Sequence, residues 1–201
     1  MKNPIEFYFD FVSPYAYIAS EWVEALAARH GRTVRWHAIL LGATFAAAEL
    51  RSPLTHPLKR DYLLRDFQRS ARFEGVPYVQ PEACLVSSLL AARVFWWLND
   101  SDGAHAATAW ARAGLRARFT RGIALDDPQA LKVLAATSGL DATAAEAAWG
   151  DARWKARLRL ANDQAIAAGV FGTPFFRVDG EPFWGNDRKP QIERWLAQGP
   201  Y

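Results

Sequence analysis

Ser13-Pro14-Tyr15-Ala16 stands where an aromatic, strand-like run gives way to a helical one. Serine is a preferred N-cap, and proline is tolerated at the first helical position because its missing N–H would find no partner there. A serine so placed offers a hydroxyl donor beside free helix N–H groups and the positive end of the helix dipole. That setting suits a thiolate supplied by another molecule; it equally suits a serine that only caps its helix. Far along the chain, Gly172-Thr173-Pro174 precedes another strand-like run. X-Pro bonds are the common sites of cis peptides, so a cis proline is one reading of this dipeptide. An ordinary strand-entry proline is the alternative. A third segment, Phe183-Trp184-Gly185-Asn186-Asp187-Arg188, sets an acid beside a glycine at a helix mouth. Asp187 there either caps the helix or binds a ligand ammonium group.

Composition removes other chemistries. The chain has 201 residues, 51% of them hydrophobic, which is enough to bury a full core without staples and too apolar for disorder. One cysteine cannot form an internal disulfide, a CxxC redox pair or a thiolate zinc cage. His30, His37, His56 and His105 have no metal-ligand spacing, so no metal is expected, and neither a G-x-S-x-G elbow nor a dinucleotide glycine motif occurs. Cys84 reads as inert core at the start of an apolar helix. The net charge of +3 comes without a basic run, so no nucleic-acid partner is expected. Neither an apolar signal core after Met1 nor a run near the ~20 residues of a membrane span is present. A soluble cytoplasmic protein is the expectation.

The elements that must position these residues follow from periodicity. Residues 5–11 put Ile5, Phe7, Phe9 and Phe11 on one face at period two, as a strand does. A helix from Ser13 to Gly31 and a strand over 33–38 complete a βαβ unit with parallel strands. Residues 45–168 are helical in pattern, with helices predicted over 61–73, 84–98, 103–121, 127–138, 141–149 and 151–168. Strand signals return in Thr173–Val178 and Pro182–Trp184, joined by Asp179-Gly180 as a hairpin, before a last helix from Asp187. The order βαβ, helical insert, ββα is that of an α/β thioredoxin-like fold with a long all-helical insertion. Residues 1–44 and 169–201 are expected to form the thioredoxin-like domain and 45–168 the inserted one. Redox members of this fold carry Cys-x-x-Cys where this chain has Ser13-Pro14-Tyr15-Ala16, so it cannot exchange disulfides there by itself.

The segments FYFDFVSPYAY, WHAILLGATF, Pro57 to Arg60, Lys59-Arg60…Asp66-x-x-Arg69 and AGVFGTPFFRVDGEPFWGNDR resemble the 2-hydroxychromene-2-carboxylate isomerases. That family groups with the kappa-class glutathione transferases in the DsbA-like branch of the thioredoxin superfamily. The resemblance runs from about residue 5 to 196 and is sharpest in the last segment. It implies glutathione as cofactor, with Ser13 at its sulfur as the catalytic group. It also implies that Thr173, before a cis Pro174, pairs with the cysteinyl backbone. Asp187 and Asn186 would hold the γ-glutamyl ammonium, and Lys59 would lie near the glycyl carboxylate. The family often has Gly-Asn shortly before the proline matching Pro53; here Ala48-Glu49-Leu50-Arg51-Ser52 stands instead, so that asparagine contact is lost.

The implied reaction interconverts 2-hydroxychromene-2-carboxylate and trans-o-hydroxybenzylidenepyruvate in naphthalene-type catabolism. The thiolate adds to a conjugated carbon, allows ring opening and bond rotation, and leaves again. An anionic aromatic substrate wants a cation and an apolar wall: Arg51, Lys59 and Arg60 are the cationic candidates, and Phe11, Tyr15, Phe45 and Trp184 the walls. A homodimer is expected. Two other readings stay open, a kappa-like glutathione transferase that consumes glutathione and a non-catalytic glutathione- or peptide-binding protein.

Overall fold

The computed structural model describes residues 2–201. β1 (Ile5–Phe9) and β2 (Val34–Ala38) flank α1 (Pro14–Arg29) and pair in parallel, with Phe7 opposite Trp36. β3 (Phe175–Val178) runs antiparallel to β1, and β4 (Glu181–Trp184) antiparallel to β3, giving the order β2-β1-β3-β4. Between β2 and β3 lie α2 (Leu41–Ala47), a short 3₁₀ turn at Pro53–Thr55 and α3 (Pro57–Phe73). They are followed by α4 (Leu89–Ser101), α5 (Ala104–Arg121), α6 (Pro128–Thr137), α7 (Ala142–Gly150) and α8 (Ala152–Ala167). A 3₁₀ turn at Asn186–Arg188 leads into α9 (Lys189–Gln198). No helix among the described residues is long and apolar enough to cross a membrane.

Local chemistry accounts for most boundaries. Ser13 caps α1 by accepting from the Ala16 N–H at 3.2 Å. The helix ends where Gly31, at φ +65°, turns the chain so that the Arg32 N–H reaches the Ala27 carbonyl at 2.9 Å. Asp127, Asp141 and Asp151 cap α6, α7 and α8 through their carboxylates. Two expectations shift. Residues 84–88 are a loop, because the helix starts at the tandem serines: Ser87 Oγ accepts from the Leu89 N–H at 3.3 Å. Proline-rich residues 77–81 and the buried Arg118, which donates to the Ala83 carbonyl, hold that loop extended. The seven-residue α2 has no capping side chain and too few residues to show a helical period, so it carries no sequence signature.

One continuous core joins the sheet to the helices. Phe7 stacks on Phe176 and meets Trp36 edge-on, while Phe9 packs edge-on against Phe95 of α4. Trp96 Nε1 donates to the Ala38 carbonyl at 2.9 Å, and Asn162 of α8 accepts from the Leu40 N–H at 2.8 Å. These two bonds fix the chain just after β2, where it begins to form the cleft described below.

Phe11 belongs to this core. It is fully buried, edge-on to Phe9, and a Cβ at Gly114 of α5 would lie 2.7 Å from its ring. Gly114→Val is therefore expected to cost about 1–3 kcal/mol by overpacking, more than helix propensity returns. A urea titration reads this as a lower midpoint at unchanged slope; an unchanged midpoint would mean that Phe11 yields without cost.

Candidate active site

The β1–α1 turn brings Ser13 to the Thr173 loop. Ser13 is 3% exposed, and its hydroxyl donates to the Thr173 carbonyl at 3.2 Å while the same oxygen caps α1. The Thr173–Pro174 peptide is cis. Thr173 is buried, and its Oγ1 has no hydrogen-bond partner among the described residues. A buried hydroxyl in that condition is a place for a ligand to complete the bonding.

Both residues line a cleft of about 580 Å³. Its walls are largely apolar, with Leu41, Phe45, Leu63, Phe67, Leu85 and Trp184 among them. Trp184 stands against the loop because Gly172 has no side chain: a Cβ there would lie 2.7 Å from the indole nitrogen. Phe171 meets the same indole edge-on at 4.8 Å. Across the cleft, Tyr15 packs edge-on to Phe67 and donates its hydroxyl to Asp66 Oδ2 at 2.5 Å. Burial first, then the hydrogen bond to Asp66, pushes the Tyr15 phenol well above its ordinary range, so it stays protonated. The N-termini of α1 and α4 both open on this cleft, at Ser13 and at Ser87-Ser88. Two positive helix ends therefore face one apolar chamber.

Of the residues predicted for a site, Ser13, Tyr15, Phe45, Thr173 and Trp184 meet on these walls. Pro174 follows directly behind Thr173. Phe11 is not a wall residue: its place on β1's inward-facing register extends into the core. Asn186 is 7% exposed, and its side-chain oxygen accepts from Trp22 Nε1 at 2.8 Å, tying the last 3₁₀ turn to α1. Asp187 is exposed and paired with Arg188, and its charge adds to the upward shift of Tyr15. Gly185, at φ +112°, lets the chain turn there, since a side chain would collide with the Asp187 carboxylate. Arg51, Lys59 and Arg60 are exposed, and no lysine or arginine lines the cleft.

Several residues of the site escaped the sequence reading. Cys84 is not inert helix core; it lies in the 84–88 loop, half-buried, and lines the cleft. Asp10 is 2% exposed and also lines it. Its Oδ1 accepts from Ser88 Oγ at 2.5 Å and from the Val12 N–H at 3.2 Å, and its Oδ2 from the Leu41 N–H at 2.7 Å. The one available signal was an acid three residues before a helix cap, at the end of an otherwise apolar strand.

Tyr15→Phe removes the brace between α1 and α3 and leaves Asp66 with Arg69 and Ser70. The loss of a hydrogen bond to a carboxylate is expected to cost about 1.5–3 kcal/mol, discounted toward the lower end because the site is partly exposed. Chemical denaturation checks this, and a loss below the scatter of the measurement would show the bond to be idle.

Residues 4–197 match the family described as DSBA-like thioredoxin domain. A 2-hydroxychromene-2-carboxylate isomerase of Sphingobium xenophagum is 31% identical over 198 residues, covering 98% of this chain and 99% of the relative. The solved structure of a 2-hydroxychromene-2-carboxylate isomerase superposes with TM-score 0.87 at 30% identity, over 96% of this chain and 94% of that one. Glutathione S-transferase kappa 2 of Caenorhabditis elegans is 28% identical over 226 residues, covering 98% of this chain and 93% of the relative. With Ser13 bonded to the Thr173 carbonyl on the wall of one cleft, and with relatives matched over nearly their whole length, the chain belongs to the DSBA-like thioredoxin domain family, among the 2-hydroxychromene-2-carboxylate isomerases.

Proposed function

We propose that the protein is a glutathione-dependent isomerase interconverting 2-hydroxychromene-2-carboxylate and trans-o-hydroxybenzylidenepyruvate. The observation that carries this reading is a capping serine, rather than a cysteine, opposite Thr173 in an apolar cleft. Glutathione fits the polar groups at its floor, above all the unpartnered Thr173 hydroxyl. When bound, it supplies a thiolate nucleophile that is regenerated at the end of each turnover.

The chain's own residues would do the rest. The Ser13 hydroxyl, which donates to the Thr173 carbonyl, would donate to the ligand sulfur instead. That donor and the α1 N-terminus favour the thiolate, lowering the thiol pKa from its usual ~8.5. Thr173 offers its backbone beside Pro174 to the cysteinyl unit, Asp187 and Asn186 take the ammonium end, and Lys59 the glycyl carboxylate. Tyr15, Phe45 and Trp184 give the flat substrate its apolar walls. With no cation on those walls, Arg51 and Arg60 act from outside the cleft, and the α4 N-terminus at Ser87 takes up part of the substrate's negative charge. An unpaired cysteine and a need for reduced glutathione support a cytoplasmic setting. Exposed Leu58, Tyr62 and Phe73 on α3 support a homodimer.

Kinship with a kappa transferase supports a second reading, conjugation. The two separate in one assay, the chromene carboxylate with and without glutathione. Fast isomerisation that needs glutathione without consuming it is expected; net consumption as a conjugate would overturn the isomerase. Ser13→Ala is expected to raise the bound thiol's pKa and to lower turnover at neutral pH by about tenfold or more, recovering partly as pH rises. A rate unchanged across pH would remove Ser13 from the mechanism. Loss of the cap alone costs only about 1 kcal/mol, so the variant stays folded for the test.

A further inference from the structure

Asp10 and Ser88 form a hydrogen-bonded pair on the cleft wall that no step above employs. Burying an acid is costly unless its oxygens are bonded, and here both are: Oδ1 by Ser88 and Val12, Oδ2 by Leu41. Ser88 is itself 3% exposed and lines the cleft; it stands at the N-cap of α4 but makes no capping bond with its side chain, because its hydroxyl is given to Asp10. Val12 and Ser88 share Oδ1, and the serine is the one whose donor is a side-chain hydroxyl, which places a transferable proton on the wall.

We infer that Ser88 and Asp10 are the proton relay of the isomerisation, with Ser88 as the catalytic group at the substrate oxygen and Asp10 as the positioning residue that holds the proton behind it. This rests on the isomerase reading, because the need for a relay comes from its chemistry. In ring opening the hydroxyl at the carboxylate-bearing carbon loses its proton to Ser88 Oγ as Ser88 passes its own to Asp10 Oδ1. The freed electron pair makes the ketone C=O, the ring C–O bond breaks, and its pair goes to the aryl oxygen. The relay then runs backward and delivers the proton to that oxygen. One proton leaves the substrate and one returns, so no co-reactant is needed.

The surroundings suit the task. The other titratable groups on the wall are Tyr15, on α1, and Cys84, in the loop leading to α4. Tyr15 is held protonated by burial and by its bond to Asp66. α2 presents no charged side chain, α8 presents Asn162, and Asp187 and Arg188 pair with each other outside the wall. Burial, opposed by the bonds from Leu41, Ser88 and Val12, leaves the Asp10 carboxyl above its ordinary range. A carboxylate so raised is a better proton acceptor near neutrality than a solvated one.

The test measures turnover of the chromene carboxylate at saturating glutathione from acid to alkaline pH for wild type, Asp10→Asn, Ser88→Ala, Ser88→Thr and the Asp10→Asn/Ser88→Ala pair. The first two single variants are expected to lose about 10²-fold in kcat, with the KM for glutathione little changed. Ser88→Thr, which keeps the hydroxyl, should retain most of the rate. The double variant should fall no further than either single one, since members of a relay act as a unit. Asp10→Asn should also lose the acidic limb of the pH profile. A second arm needs no substrate: the Asp10 carboxyl, followed by carbon NMR in the free protein, should titrate above the ordinary range for aspartate. An ordinary titration there, a full rate in Ser88→Ala, or additive losses in the double variant would each overturn the relay while wild type still turns over. A wild type without glutathione-dependent isomerisation would instead bring down the reading beneath it, and the relay with it. If Asp10→Asn fails to fold, the Ser88→Ala and Ser88→Thr comparison and the NMR titration still decide.

Discussion

Ser13 Oγ accepts the Ala16 N–H and donates to the Thr173 carbonyl, joining residues 160 positions apart. The first bond fixes where α1 begins. The second sets that beginning against the loop before β3. One side of the cleft is placed relative to this junction: Trp184 follows through the β3–β4 pairing, and Tyr15 is carried on the first turn of α1. A cysteine at position 13 would put the reactive sulfur in the protein. A serine leaves the same pocket of N–H donors and helix dipole available to a sulfur brought from outside.

A second constraint lies on the far wall. The cleft needs three segments that do not touch in sequence, namely the β1–α1 turn, the start of α2 and the loop before α4. Asp10 gathers all three with one carboxyl group. The bonds run from 2.5 to 3.2 Å, and a carboxylate can accept all three donors at once where an amide or hydroxyl could not. The cost of burying that charge is met by donors that would themselves lack partners, the Leu41 N–H at an uncapped helix start among them. The acid is thus tied to the shape of the cleft before any question of reactivity arises.

How much of this could be read from the chain depended on how local the cause was. The βαβ unit, the terminal hairpin and the helices capped by Asp127, Asp141 and Asp151 are written in periods of two or about three and a half and in cap residues, and all appear close to the predicted bounds. Ser13, Thr173 and Trp184 were legible because a motif with a known place in the fold contained them. The α4 start was misplaced because residues 84–98 are apolar throughout, and hydrophobicity cannot locate a boundary that Arg118, thirty-odd residues later, imposes by holding the Ala83 carbonyl. Asp10 was invisible as a site residue for the same reason. Its partners Leu41 and Ser88 are distant, and two of its three bonds come from backbone groups that carry no sequence signal. Phe11 erred the other way: it extends the period-two pattern past the end of β1, and Gly114 makes room for it in the core rather than in the cleft.

The missing cation is consistent with these constraints. A guanidinium set into an apolar wall would need a permanent anionic partner or would pay several kcal/mol in desolvation whenever the cleft stood open. Helix N-termini avoid that penalty, because their N–H groups are fixed by the backbone and carry only partial charge. Besides the α2 start, whose Leu41 N–H is taken by Asp10, two of them border the cleft, one at Ser13 and one at Ser87-Ser88. The arrangement suits a ligand that brings a thiolate and a substrate that brings a carboxylate. Each anion can face its own helix end, and neither requires a full positive charge to be buried in advance.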